Sequence, residues 1–212
     1  MKSSDKPTPL EATYRNRRDS TLEGIAKNLE AFLIDFMKGQ DRIDRIAVRA
    51  KGVQSFIKKA NKTVDGKPKY TEPLMQIQDQ IGARIIVFYN SDVEPVKKRV
   101  LDVFRAIEDK RFVPDSLSEF GYFGHHFILA VPSDVVEVGA DKSMVPDFFE
   151  LQIKTLFQHS WSEANHDLAY KDDEKPLTPD QRRRVAFTSA QAWGADHIFD
   201  QLFHELRDTV VG

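Results

Sequence analysis

The sequence of 212 residues contains no cysteine, which excludes disulfides, thiolate nucleophiles and cysteine-based zinc sites. No apolar run approaches the roughly 20 residues that a membrane-spanning helix needs, so no membrane contact is expected. Residues Met1 to Pro7 carry charge but lead into no apolar segment, so they do not read as a secretory signal and a cytoplasmic protein is expected. Neither the phosphate-loop pattern Gly-x-x-x-x-Gly-Lys-Ser/Thr nor the nucleophile pattern Gly-x-Ser-x-Gly occurs. Internal repeats and low-complexity stretches are also missing. What is present is an ordinary globular composition, 41% hydrophobic and 30% charged, in a length that suits one domain with helical extensions.

The net charge of −2 conceals an asymmetry. Residues 42–69 hold nine basic side chains (Arg42, Arg45, Arg49, Lys51, Lys58, Lys59, Lys62, Lys67, Lys69) against Asp44 and Asp65. Residues 134–150 run the other way, with Asp134, Glu137, Asp141, Asp147 and Glu150 against Lys142. A basic block facing a carboxylate-bearing block suits a polyanion bound together with a divalent cation.

Apolar residues Leu22, Ile25, Leu29, Phe32, Leu33 and Phe36 recur at helical spacing, which predicts a helix over 13–37 stopped by Gly39. A short helix over 53–61 and a loop over 62–73 follow. The β-branched and aromatic stretch 83–89 predicts a buried strand, Asn90-Ser91-Asp92 caps the next helix, and Phe104 and Ile107 are expected on that helix's inner face. Two more strands are expected at 125–131 and 148–154, then helices over 156–170 and from Pro179 onward, the last opened by a Thr178-x-x-Gln181 capping box. The fold class is α+β: a small mixed sheet flanked by helices, with long helices at both ends. The expected division is an N-terminal helical extension (1–40), a central domain (41–172) and a C-terminal helix (173–212).

Four places carry candidate chemistry. Asp79-Gln80-Ile81-Gly82-Ala83-Arg84 sets a carboxylate at the mouth of a strand, a glycine open to close approach and a guanidinium five residues on. A carboxylate held there is a good ligand for a hard cation. In Glu150-Leu151-Gln152-Ile153-Lys154, alternation places Glu150, Gln152 and Lys154 together on the face opposite Leu151 and Ile153. Phe120-Gly121-Tyr122-Phe123-Gly124-His125-His126 holds a ring on a tight loop, where it could lie on a nucleobase, with His126 near a phosphate. Arg49 and Lys51 precede the N-terminus of a helix, which suits a triphosphate. His159, Glu163 and His166 share a helix face, but a dinuclear metal site would need a second Glu-x-x-His, and none is present.

The order of these motifs resembles the RelA/SpoT synthetase domain. Arg-x-Lys before a short helix, Asp-x-x-Gly-x-Arg, Gly-Tyr-x-x-x-His, Glu-x-Gln-Ile-Lys-Thr and His-x-Trp-x-Glu-x-x-His-x-x-x-Tyr-Lys carry the likeness from about residue 43 to 171. The length and the absence of further domains resemble the stand-alone small alarmone synthetases, including toxin-type members. The resemblance implies a nucleotidyltransferase-like fold and transfer of pyrophosphate from ATP to the 3′-hydroxyl of GDP or GTP, making (p)ppGpp. It implies Mg²⁺ on Asp79 and Glu150, with Glu150 also a general base. ATP would meet Arg49, Lys51 and Arg84. The acceptor would meet Tyr122, His126, Gln152 and Lys154, with His159 and Glu163 lining the cleft. The acceptor loop departs from the family pattern, since Ser118, Phe120, Phe123 and Gly124 stand where a lysine and polar residues are usual. That departure leaves open a tRNA 3′ end or an adenine nucleotide as acceptor, and a non-catalytic nucleotide-binding module as a further alternative. A homo-oligomer, with Trp193, Phe199 and Phe203 as interface or core residues, and a neutralising antitoxin protein are the partners considered.

Overall fold

The computed structural model describes residues 7–112, 119–121, 123–172 and 176–208. Helix α1 (Pro9–Arg17) begins where the Thr8 hydroxyl accepts from the Glu11 N–H and proline occupies the first helical position. It passes through a π-helical turn at Arg18–Leu22 into α2 (Glu23–Phe36), and Gly39, at φ 80°, takes the left-handed conformation just beyond the helix end. Strand β1 (Ile43–Ala50) leads into α3 (Val53–Ala60), a hairpin of β2 (Thr63–Val64) and β3 (Lys67–Pro68), and a single turn, α4 (Pro73–Gln76). Strand β4 (Ile81–Val87), α5 (Val93–Val103), β5 (Ala106–Phe112), β6 (Gly124–Ala130) and β7 (Phe148–Thr155) follow. The chain ends in α6 (Leu156–Asp172) and α7 (Pro179–Asp208).

The five long strands form one sheet in the order β1-β4-β7-β6-β5, antiparallel except between β4 and β7. The parallel pair needs a crossover, which α5 provides. Strand alternation divides the sheet into two faces. On one, Ala83, Ile85, Val87, Phe127, Leu129, Phe149, Leu151 and Ile153 pack with Leu22, Ile25, Leu29 and Leu33 of the N-terminal helices and Val96, Val100 and Phe104 of the α5 segment. Each such buried aliphatic or aromatic side chain contributes about 1.5–3 kcal/mol. On the other face, pairing register sets polar residues side by side. One rung runs Arg49, Gly82, Glu150, Ile128; the next runs Ala47, Arg84, Gln152, His126, Lys110.

The mixed sheet flanked by helices is the fold class expected from the sequence, and the three anticipated strands are its interior. Both edge strands went unanticipated. Strand β1 alternates Asp44, Arg45 and Arg49 with apolar residues, and β5 reads Ala-Ile-Glu-Asp-Lys-Arg-Phe, nearly all exposed. Charged side chains on an edge strand discourage pairing with other chains but hide its β character from a propensity reading. As a result Ile107 is not on the inner face of a helix: it lies on β5 and is 47% exposed. The expected loop at 62–73 contains the small hairpin, turned at Asp65-Gly66 with both residues at positive φ, 51° and 75°. The capping box of α7 forms, with Gln181 N–H donating to the Thr178 hydroxyl and the Gln181 side chain accepting from the Thr178 N–H. Trp193 and Phe199 stay about half-exposed, while Phe203 stacks on Tyr89 with ring centroids 4.5 Å apart. No helix among the described residues is long and apolar enough to cross a membrane.

Candidate active site

Asp79 sits in the turn just before β4, where Lys51 N–H donates to the Gln80 carbonyl and ties that turn to the end of β1. Its Oδ2 accepts from Lys51 Nζ at 2.8 Å and from Lys59 Nζ at 2.9 Å. Burial pushes the Asp79 pKa up, but the two ammonium groups outweigh it and hold the carboxyl below its ordinary value. Asp79 is therefore an anion at neutral pH. Its Oδ1 is buried and has no hydrogen-bond partner among the described residues.

Glu150 lies across the cleft on β7. His126 Nδ1 donates to its Oε1 at 3.0 Å, and Gln152 Nε2 donates to its Oε2 at 2.8 Å. Here too burial and the charge of Asp79 raise the pKa, and His126 together with Gln152 overcomes them, so Glu150 is anionic. Arg49, Lys51, Asp79, Gly82, Arg84, Glu150 and Gln152 line one cleft. Gly82 forms its floor between Arg49 and Glu150, and a β-carbon added there would meet nothing within 4 Å.

Arg84, Lys154 and His159 lie beside this centre. Arg84 donates from its Nη1 to Glu163 at 2.7 Å. Lys154 is buried, donates to Ser162 at 3.2 Å, and has its pKa pushed down to about 8 by burial and by Arg84. His159, in the first turn of α6, has its pKa lowered by burial and by Arg84, and its buried Nδ1 lacks a partner among the described residues. Tyr122 and Ser118 lie outside the described residues. The neighbouring loop is fixed to α7, with Ser189 Oγ donating to the Gly121 carbonyl at 2.6 Å and Phe120 edge-on to Trp193.

The residues fit a divalent cation bound jointly with a phosphate chain rather than a closed protein cage. Two anionic carboxylates face one cleft, one of them with a buried, unpartnered oxygen. No group of three or more His, Asp or Glu that could hold a metal occurs among the described residues. Mg²⁺ suits such a site, because it keeps waters and takes one or two carboxylates plus phosphate oxygens. Lys59 is the residue that the sequence did not single out. It stood within the basic block, and only its position on α3, one turn after the buried Phe56, aims it at Asp79.

The model of the region found in RelA and SpoT proteins matches residues 48–175, more than half of the chain. The chain belongs to the RelA/SpoT family. Among curated relatives of this family, it is 26% identical over 141 residues to the GTP pyrophosphokinase YjbM of Bacillus subtilis, a match covering 66% of this chain and 62% of that protein. The crystal structure of small alarmone synthetase 1 from Bacillus subtilis superposes with a TM-score of 0.72 at 22% identity, covering 94% of this chain and 98% of the other. The same synthetase bound to its product pppGpp gives 0.67 at 21% identity, over 93% and 96% of the two chains. Bound to AMPCPP it gives 0.65 at 20% identity, over 94% and 98%. These likenesses establish a shared fold across nearly the whole chain.

Proposed function

We propose that this protein transfers pyrophosphate from ATP to the 3′-hydroxyl of a guanine nucleotide, GDP or GTP, in the cytoplasm. The observation that carries the reading is the facing pair of carboxylates, Asp79 and Glu150, over the open floor at Gly82. Arg49, Lys51, Lys59 and Arg84 surround that floor. Membership of the RelA/SpoT family, and the pppGpp and AMPCPP bound by a structural relative, support the same assignment.

Asp79 and Glu150 would hold Mg²⁺, which supplies positive charge to the phosphate oxygens when bound. Arg49, Lys51 and Lys59 would grip the ATP phosphates, and Arg84 would offset charge on the transferred group. The acceptor 3′-oxygen forms a bond to the β-phosphorus, the bond from that phosphorus to the α-bridging oxygen breaks, and AMP leaves with the electron pair. Glu150 accepts or orients the 3′-hydroxyl proton, and the His126 hydrogen bond fixes the carboxylate for that role. Gln152, Lys154, His159 and Glu163 line the acceptor side, and Tyr122 is assigned the stacking position.

Incubation with γ-labelled ATP and GDP, GTP, adenine nucleotides or bulk tRNA tests the reaction. Label in a 3′-pyrophosphorylated guanosine product is expected, and it should vanish in Asp79→Asn. Label only in RNA or in an adenine nucleotide would overturn the acceptor. No transfer to any acceptor, with Asp79→Asn indistinguishable from wild type, would overturn the reaction itself.

A further inference from the structure

Helix α1 lies outside residues 48–175, the stretch that the RelA/SpoT model matches, yet it touches both segments that build the ATP side of the cleft. Tyr14 is fully buried, and its hydroxyl donates to the Lys51 carbonyl at 2.9 Å. That carbonyl sits between the last residue of β1 and the N-cap of α3, where neither sheet nor helix provides it a donor. The Tyr14 ring lies flat on Phe56 of α3, with centroids 3.7 Å apart and planes 3° apart. Phe56 is one turn before Lys59, so one side chain of α1 contacts the supports of both lysines that hold Asp79.

Three residues on, and so on the same face of α1, Arg17 reaches the other segment. It is 3% exposed, donating from Nε to the Met144 carbonyl at 2.9 Å and from Nη1 to the Leu74 carbonyl at 2.7 Å. The same Leu74 carbonyl accepts from Gln80 Nε2 at 2.8 Å, and Gln80 follows Asp79 directly. Tyr14 therefore holds the lysine side of the Asp79 cluster, and Arg17 holds the carboxylate side. An apolar side chain of similar size would fill either space; the hydrogen bonds of Tyr14 and Arg17 add a hold on the backbone that carries Lys51 and Asp79, beside the bond from Lys51 N–H to the Gln80 carbonyl.

We propose that α1 is a brace for the ATP-binding half of the site, with Tyr14 and Arg17 as positioning residues that set Lys51, Lys59 and Asp79 against one another. The proposal rests on the ATP-dependent reading above. It predicts that a helix beyond the span of the RelA/SpoT model governs the donor substrate and leaves the acceptor untouched.

The test compares wild type with Tyr14→Phe, which keeps the ring on Phe56 and removes one hydroxyl, and with Arg17→Met. Loss of a hydrogen bond of ordinary strength should raise the KM for ATP and weaken AMPCPP binding by roughly 3- to 10-fold. The KM for the acceptor should stay within about twofold. Unchanged ATP parameters in a variant with a lowered Tm would mean a purely structural bond and would overturn the brace, as would equal rises in both Michaelis constants. The two readings separate at the binding step. Wild type that binds AMPCPP but transfers to no acceptor sinks the transferase reading alone. Equal AMPCPP affinity in wild type and Tyr14→Phe sinks the brace alone.

Discussion

Replacing Gly82 with alanine adds one methyl group to the floor of the cleft and changes nothing else in contact with it. A β-carbon at this position meets no atom within 4 Å, and the backbone is not in the left-handed region that would strain an alanine. Glycine within a strand loses more conformational freedom on folding than alanine does, so the substitution should stabilise the protein by about 0.4–1 kcal/mol. For a chain of this size that is a rise in Tm of about 1–4 °C. The methyl group nevertheless points between Arg49 and Glu150, where the proposed reaction puts the phosphate chain. Displacing reacting groups by about 1 Å can cost on the order of a hundredfold in rate. The expected result is a more stable and much less active enzyme, with Gly82→Val weaker still in activity. Thermal unfolding without nucleotide and steady-state transfer from ATP are the two measurements. Wild-type activity in Gly82→Val would refute the placement of the substrate over this floor, and a lowered Tm in Gly82→Ala would refute the open space.

Two further outcomes follow from named contacts. Lys59→Met leaves Asp79 paired with Lys51 alone and removes a charge-assisted contact of about 1.5–3 kcal/mol, so the KM for ATP should rise roughly 10- to 150-fold with little change in Tm; an unchanged KM would remove Lys59 from the site. Asp196 is buried under Thr155, whose hydroxyl donates to it at 2.7 Å, and burial pushes its pKa up to about 6. A carboxyl whose pKa is higher folded than unfolded favours the native state while protonated, below about pH 4, and loses that contribution as pH rises through 6. At pH 8 the ionised group therefore costs up to roughly 3 kcal/mol. Asp196→Asn keeps the acceptor for Thr155, and should raise Tm by several degrees at pH 8 and hardly at all at pH 4; a gain independent of pH would contradict this account.

The interior of the fold was legible because β4, β6 and β7 are buried on the core face and their apolar runs state it directly. The edges were not, because β1 and β5 owe their pairing to neighbours and not to their own composition. The site divided the same way. Glu150, Gln152 and Lys154 could be read from strand alternation, since period two puts them on one face, and Asp79 and Arg84 from their places at the mouth and on the length of β4. Lys59 could not, because helical spacing separates core from surface but does not say which exposed lysine meets a carboxylate twenty residues on. Tyr14 and Asp196 were invisible for a related reason: their partners, Lys51 and Thr155, are 37 and 41 residues away.

Under the proposed reaction, the ion pairs of the cleft also couple metal to nucleotide. Before nucleotide arrives, Lys51 and Lys59 are spent on Asp79, and Arg84 on Glu163. Gripping a phosphate chain is thus an exchange of partners, and its gain is smaller than a count of cations suggests. A divalent cation taken up by Asp79 would release both lysines to the phosphates, so metal and ATP should raise each other's affinity by an equal factor. Asp79→Asn separates the two effects, because it abolishes the carboxylate and frees the lysines without any metal. In EDTA this variant should bind AMPCPP more tightly than wild type, by about 1 kcal/mol or more, which is roughly fivefold. Adding Mg²⁺ should improve wild type and leave the variant nearly unchanged, reversing their order. Isothermal titration in both buffers measures it. Weaker binding by Asp79→Asn in EDTA would mean that the lysines are not held back by Asp79, and that the carboxylate instead orients them toward the phosphates.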